Sequence, residues 1–541
     1  MLGLSYYMSK MRGILTKCCN NINYIPSTFI LIIPARCLEK MSNHTQPTGE
    51  SLLEKTTGIH FYIGIPNFDE IIKGEETAND EVKRSIHRLY TYYIGLISIA
   101  KYFEASIEKF SGSRAHVYIE QKDEETREDY ILRCVKHMVA SLRFVYDVFN
   151  DLGKYSQYPK FTAHGGADYG DYYKYDIDGL DEFTTIGGVA NIAAKIASAA
   201  PKKYIYITND FYIQLSSDLK DCFNLLDEND LQEIQERLKG NPNIYCVKYC
   251  DLLTDDQEIE QLLEDVDEEC NTVANSLTLS EMEVANATGK INFSILSRKK
   301  SKHIEAGILY ADIRGFTKLF NVSGTNLDSL AIVLQDIYDG LNQAATEYDG
   351  VRVQFQGDRI IAVFNSFKQE SDFELVRMFR AALLIKDKIS DLNEQHKEHL
   401  SGRKLKVGIG LCYGQFFATR LGKATHKDNH VLGAIAEQGD IAEDRYAEDQ
   451  DVVVNKSFKE QAQSLSNESI ACSVIVSKLT AISTTGYYRT SITLKEFNDA
   501  VEKAIEEAKN SAAKEVAVAL TSSRGIMTPR GSERVLKPWG W

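Results

Sequence analysis

With 541 residues, 43% of them apolar and 26% charged, the chain is long enough for two or three domains with sizeable cores. Its formal net charge of -15 argues against a general nucleic-acid or anionic-membrane surface, so a polyanionic substrate would have to meet locally placed cations. The longest purely apolar run near the start, Phe29–Ile33, falls far short of the ~20 residues of a membrane span. The scattered cysteines show no C-x-x-C spacing, which points to reduced thiols and a cytoplasmic setting.

Residues 1–57 precede the first clear strand, and the first forty of them have no clear period and run into a second good start at Met41. They are expected to be an extension, disordered or preceding the true start; a signal peptide is the weaker reading because the apolar segment is short and no small-residue cleavage site follows. From Gly58, GIHFYIGIPNF reads as a strand, Val82–Ala105 as a helix, and SIEKFSGSRAHVYIEQ as a hairpin turning at Gly112. Thr126–Leu152 reads as a second helix and KFTAHGGADYG as a further strand. In DEFTTIGGVANIAAK a helix opens at Gly187-Gly188, and Asn191 and Lys195 lie one turn apart on one face. Lys109 alternates with apolar neighbours on the hairpin, where a lysine ordinarily guards a sheet edge, and Lys239 in LKGNPNIYCVKY is by itself an ordinary turn cation. Residues 251–303 are expected to form an acidic helix, Cys250–Asn275, and a linker ending in the basic SRKKSKH, read as a solvated turn.

In the second half, GILYADIRGFTKLF delivers Asp312 at the end of an apolar strand, and Ile313, Arg314 and Gly315 turn the chain towards a helix. The spacing predicts a helix over Asn326–Tyr348, and VRVQFQGDRIIAVFN is a tight hairpin with Asp358 at its tip. A second helix, Ser371–His399, precedes the strand LKVGIGLCYG, and residues 491–541 add a helix and a tail without packing period. Taken singly, Asp312 reads as a helix cap and Asp358 as a turn residue. Together, two carboxylates on rigid elements beside a turn carbonyl such as that of Ile313 suit Mg²⁺ or Mn²⁺ and the phosphates those ions carry.

Each half reads β-α-β-β-α-β, the split order of a ferredoxin-like unit, and so belongs to the α+β class. Asp312 stands 248 residues after Gly64, and Gly357 stands 245 after Gly112, a near-constant offset that marks a duplication. The order of elements, with the D-I-R-G-F-T motif and the G-D hairpin, resembles the catalytic domain of class III nucleotidyl cyclases.

That resemblance implies two cyclase domains forming a pseudo-heterodimer. Residues 304–490 would supply the metal ligands Asp312, Asp358 and the Ile313 carbonyl for two divalent ions, Mg²⁺ or Mn²⁺. Residues 58–250, with Gly64 and Ser113 at the metal positions, would be a degenerate copy supplying base and ribose contacts. In the family's pattern Lys109 takes the place of the base-reading lysine, and Asn191 matches the ribose-orienting asparagine. Thr184 replaces the base-reading aspartate and Lys195 the transition-state arginine, while Lys239 resembles the lysine that reaches the terminal phosphates. The second half departs in the opposite place, with Glu437 and Ile441 at the asparagine and arginine positions, and Gln415 replaces a triphosphate-binding arginine.

Lys109 with Thr184 meets neither the adenylate nor the guanylate pattern. The chain is most like the pyrimidine cyclases of Pycsar anti-phage systems, which make cyclic UMP or cyclic CMP from UTP or CTP to activate a separate effector protein; Phe110 and Phe183 would close the pocket on a smaller ring. The alternatives are an adenylate cyclase and a nucleotide sensor without turnover. A diguanylate cyclase would be expected to show G-G-[DE]-E-F, which VQFQGDRII lacks.

Overall fold

Two runs of β-branched and aromatic residues at alternating positions build two sheets on one plan. The computed structural model describes residues 53–524 apart from 76–78, 181, 228–229, 232–233, 235–237, 239–242, 321–326, 369–371, 401 and 424–425. The first sheet comprises β1 (Leu53–Gly64), β2 (Ser106–Ser111), β3 (Arg114–Glu120), β4 (His164–Ile177), β5 (Glu182–Ile186), β6 (Tyr204–Thr208), β7 (Asn224–Leu225) and β8 (Ile244–Lys248). The second comprises β9 (Glu283–Asn286), β10 (Lys300–Arg314), β11 (Val351–Gln356), β12 (Arg359–Phe364), β13 (Lys406–Lys423), β14 (His426–Leu432), β15 (Val452–Asn455), β16 (Thr480–Ala481) and β17 (Tyr487–Thr490).

Their orders are β2-β3-β1-β4-β6-β8-β7 with β5 on β4, and β11-β12-β10-β13-β15-β17-β16 with β14 on β13 and the additional β9 on β10. The duplication read from residue offsets therefore holds strand for strand. It holds in register too: Gly64 faces His164 as Asp312 faces Gly408, and both hairpins carry a bulge, between Ile107 and Lys109 and between Arg352 and Gln354. Gly112 and Gly357 occupy the hairpin tips at φ 56° and 61°, where a side chain would be strained. Each tip carbonyl accepts a tyrosine hydroxyl from the long helix that precedes the hairpin, Tyr93 for Gly112 and Tyr338 for Gly357.

β1 begins at Leu53, ahead of the expected boundary at 58. The added residues LEKTT carry one apolar side chain, so hydropathy does not mark them. They are held instead by pairing with β4 and by ion pairs of Lys55 with Asp171 at 2.7 Å and of Glu54 with Lys174 at 3.1 Å. The acidic helix Gln257–Asn275 packs against the helix Asn79–Tyr102 rather than spanning solvent: Ile259, Leu262, Leu263, Val266 and Cys270 join the first core, and His87 Nε2 meets Ala274 O at 3.1 Å. β10 starts at Lys300, inside the expected linker. The helix Leu494–Arg524 docks on the second domain through Phe497, whose ring lies 5.2 Å from that of Phe379. Among the described residues no helix is long and apolar enough to cross a membrane.

The two domains exchange arms. Tyr173, Tyr175, Ile177 and Ile186 from β4 and β5 lie in the second domain's core with Phe316, Leu334 and Tyr338, while Phe417, Leu421 and Leu432 from β13 and β14 lie in the first. Each such side chain removes apolar surface worth about 1.5–3 kcal/mol. Polar contacts fix the same docking: Tyr175 donates to Gln335 Oε1 at 2.8 Å, and Gln335 Nε2 donates to Asp178 O at 3.0 Å. A pseudo-symmetric pair completes it, with Glu182 accepting from Phe355 N at 3.1 Å and Asp428 from Phe110 N at 3.0 Å.

One buried carboxylate makes a pH prediction. Asp168 on β4 accepts from Thr208 Oγ1 at 2.5 Å and from Tyr169 N at 2.8 Å. Burial still pushes its carboxyl up to about 7. The folded protein thus holds a proton that the unfolded chain has released, so stability should fall by about 1.4 kcal/mol per pH unit from the ordinary carboxylate range to about 7 and level off above it. Asp168→Asn is expected to remove that slope from urea midpoints collected across the window. An unaltered slope would assign it to another group.

Candidate active site

Asp312 sits near the end of β10, and Asp358 follows the Gly357 turn between β11 and β12. β10 and β12 are neighbours in register, Asp312 opposite Arg359, so the sheet brings the two carboxylates to one edge. Asp358 is buried; burial pushes its carboxyl well above the usual range and the charge of Asp312 pushes it further. Arg314 Nη1 lies 3.4 Å from Asp312, but the guanidiniums of Arg314 and Arg359 are engaged mainly by the buried Glu443: Arg359 Nη2 donates to its Oε2 at 2.6 Å, and Arg314 Nη2 to its backbone O at 2.7 Å. Burial raises the Glu443 carboxyl to about 8 against the pull of Arg359.

At Asp358 the charge of Arg359 is thus outweighed by burial and Asp312, a condition a divalent cation would relieve, and hard carboxylate oxygens are the donors Mg²⁺ or Mn²⁺ takes. Ile313 buries its side chain, leaving only its backbone carbonyl as a possible ligand. At the equivalent corner of the first domain Ser113 donates to Ile65 O at 3.2 Å, and a Cβ on Gly64 would lie 3.1 Å from His164 Nε2. No carboxylate occupies either position, and restoring one at Gly64 would displace His164.

One residue of the half-site expected in the first domain reaches the strand before Asp358 across the interface. Lys109 Nζ donates to the carbonyl of Phe355, on the strand that leads into the Asp358 turn, and stands 3.7 Å from Glu182. Thr184 is buried and its hydroxyl donates to Glu108 Oε1 at 3.2 Å. Glu108 also accepts from Thr185 N at 3.1 Å and pairs with His116 Nδ1 at 3.1 Å. Burial alone would raise Glu108, yet His116, Lys109 and Thr185 together hold it down at about 2. Asn191 and Lys195 are exposed on the helix Gly188–Ala199. Ile186, just before that helix, shares the second domain's core with Ile313 and Phe316, the neighbours of Asp312. Lys239 lies outside the described residues. Phe110 does not wall a pocket here, since its ring stacks on Tyr93 at 3.9 Å within the first core; Phe183 rests near Tyr118 at 6.1 Å.

Sequence reasoning passed over Glu108, Glu182 and Glu443. The signal for Glu108 was available, a carboxylate in S-I-E-K-F that no loop explains. At the pseudo-symmetric position a cavity of about 130 Å³ is lined by Ser113, Arg114, Gln354, Arg359, Glu437 and Asp440, with Gln354 where the other corner has Lys109 and with Asp440 held by Arg359.

Residues 298–430 match the family model described as the adenylate and guanylate cyclase catalytic domain. No curated protein matches the chain. Among solved structures, a class III adenylyl cyclase-like ATP-binding protein from Pseudomonas aeruginosa is similar over 84% of this chain and 94% of its own, with 19% identity and a TM-score of 0.64. The adenylyl cyclase CyaB from P. aeruginosa aligns with 35% of this chain and 94% of its own, at 16% identity and a TM-score of 0.29. The guanylate cyclase domain of RhGC from Catenaria anguillulae, in complex with GTP, aligns with 35% of this chain and 95% of its own, at 18% identity and a TM-score of 0.26. The first of these spans both halves, and the fold is that of two cyclase-type domains in tandem.

Proposed function

We propose that the chain is a class III nucleotidyl cyclase that closes a pyrimidine nucleoside triphosphate, UTP or CTP, to its 3′,5′-cyclic monophosphate with release of pyrophosphate. The observation that carries this is the contact of Lys109, from the domain without carboxylates, with the β11 strand that ends at Asp358 in the domain that has them. On this reading the reader and the acid pair share one of the two pseudo-symmetric corners.

In the reaction the ribose 3′-oxygen attacks the α-phosphorus, loses its proton, and pyrophosphate departs. Asp312, Asp358 and the Ile313 carbonyl would hold two divalent ions, which when bound lower the pKa of the attacking hydroxyl and offset phosphate charge. Asn191 orients the ribose. Lys195 meets the charge that builds on the α-phosphoryl oxygens, as a point charge rather than a planar fork. Lys239 is assigned to the terminal phosphates.

Base reading rests on Lys109 and Thr184. Because Glu108 stays a carboxylate at neutral pH, the Thr184 hydroxyl points its proton at Glu108 and turns lone pairs towards the base. Lys109 can only donate. An acceptor beside a donor suits N3-H and O4 of uracil, or the amino group and N3 of cytosine. The product would act on a separate cyclic-nucleotide-responsive effector, as in anti-phage signalling. Incubation with ATP, GTP, CTP and UTP separately, with Mn²⁺, should give cyclic UMP or cyclic CMP by mass; dominant cyclic AMP would overturn the pyrimidine assignment. A second reading, nucleotide binding without turnover, is supported by the description of the Pseudomonas aeruginosa protein as ATP-binding, and saturable binding with no cyclic product from any of the four would establish it.

A further inference from the structure

At the far end of β10 from Asp312, SRKKSKH forms a feature that base reading and metal binding leave unused. Ser297 and Lys300 exchange two backbone hydrogen bonds of 2.9 Å, which puts Arg298 and Lys299 at the tip of a two-residue turn. The turn is anchored, since Ser301 donates to the buried Thr419 hydroxyl at 2.9 Å on β13. Beyond Thr419, Arg420 and Gly422 share one strand face, and Lys427 on β14 pairs with Gly422. Arg420 and Lys427 therefore flank a position that has no side chain. With Tyr90 from the helix Asn79–Tyr102, these residues line a cavity of about 290 Å³.

Arg298, Lys299, Arg420 and Lys427 converge there, and among the described residues none of them is within ion-pair distance of a carboxylate. Among the described residues the Arg420 side chain makes one polar contact, Nε to Lys427 O at 3.5 Å, and Arg298 Nη1 is buried with no hydrogen-bond partner. Glu281 feels Lys299 from beyond ion-pair distance, and its Oε2 accepts from Thr278 N at 2.9 Å and Thr278 Oγ1 at 2.8 Å. Holding four like charges around one hollow, in a chain of net charge -15, is unfavourable until an anion enters. Arg298 lies over the Tyr90 ring at 4.3 Å and covers it, so no nucleobase can stack on that face. The ligand chemistry left is phosphate, and the number of cations matches a diphosphate or triphosphate group better than orthophosphate.

We infer that this cavity binds a small oligophosphate at a site separate from the catalytic corner. Along β10 the two lie roughly 40 Å apart. The test is calorimetric titration of the full chain with pyrophosphate and with tripolyphosphate in buffer free of divalent metal. One site is expected, weakened about tenfold or more in Arg298→Ala and in Arg420→Ala and lost in Lys427→Glu, a change at an exposed position. Affinity should be the same in Asp358→Ala and Lys195→Ala, which separates this site from the catalytic corner and from whether the chain turns over nucleotide. Three results would overturn the inference: wild-type binding in all three pocket variants, loss only in Asp358→Ala or Lys195→Ala, or equal competition by sulfate and orthophosphate.

Discussion

Asp358→Ala is expected to lower pyrophosphate release with Mn²⁺ on the order of 10³-fold or more while leaving the circular dichroism unchanged. Two physical facts drive the two halves of that expectation. Asp358 is one of the two carboxylates proposed to hold the cation, so its loss removes half of their anionic charge. In the absence of a cation its charge is opposed by burial and by Asp312, so alanine relieves an unfavourable term instead of breaking a favourable one. A melting temperature equal to or above the parent's, together with lost activity, is the expected signature, and Asp312→Ala should match it in activity. Substantial residual turnover in either variant would sink the metal assignment.

Lys195→Ala should lower kcat about 10²–10³-fold with a smaller change in KM, because its proposed partner is charge that exists only as the α-phosphorus is attacked. Lys195→Arg should retain activity, since a guanidinium supplies the same charge in a fork. Mixing Asp312→Ala with Lys195→Ala chains probes the architecture. Both half-sites lie on one polypeptide, and the exchanged arms bury Tyr173, Tyr175, Phe417 and Leu421 in the opposite core, so no complementation is expected. Recovery of activity on mixing would mean that the site is assembled between chains.

The paired offsets of the glycines and of Gly64 with Asp312 were enough to read the duplication, because residues at hairpin tips and strand ends are fixed by backbone geometry and survive divergence of the core. The same logic singled out Asp312, Asp358 and Lys109 as candidates. It failed where partners are distant in sequence. Tyr173 and Phe417 look like ordinary strand residues, and only the paired domains reveal that each fills the other's core. Glu443 was passed over because its importance comes from Arg314 and Arg359, more than eighty residues upstream. Phe110 was misjudged as a pocket wall because neighbours in sequence on a strand face opposite sides, and Lys109 takes the side that meets the interface.

The exchanged arms also set the order in which this protein can be finished during synthesis. When residues up to about 250 have left the ribosome, the first sheet can form, but Phe417, Leu421 and Leu432 do not yet exist and the face of β4 and β5 that carries Tyr173 and Ile186 has nothing to cover it. The nascent first domain is therefore expected to stay protease-sensitive and chaperone-bound until β14 emerges, and a ribosome-arrested chain ending at 300 should be cleaved far faster than one ending beyond 455. Equal resistance of the two would show that the first half matures alone.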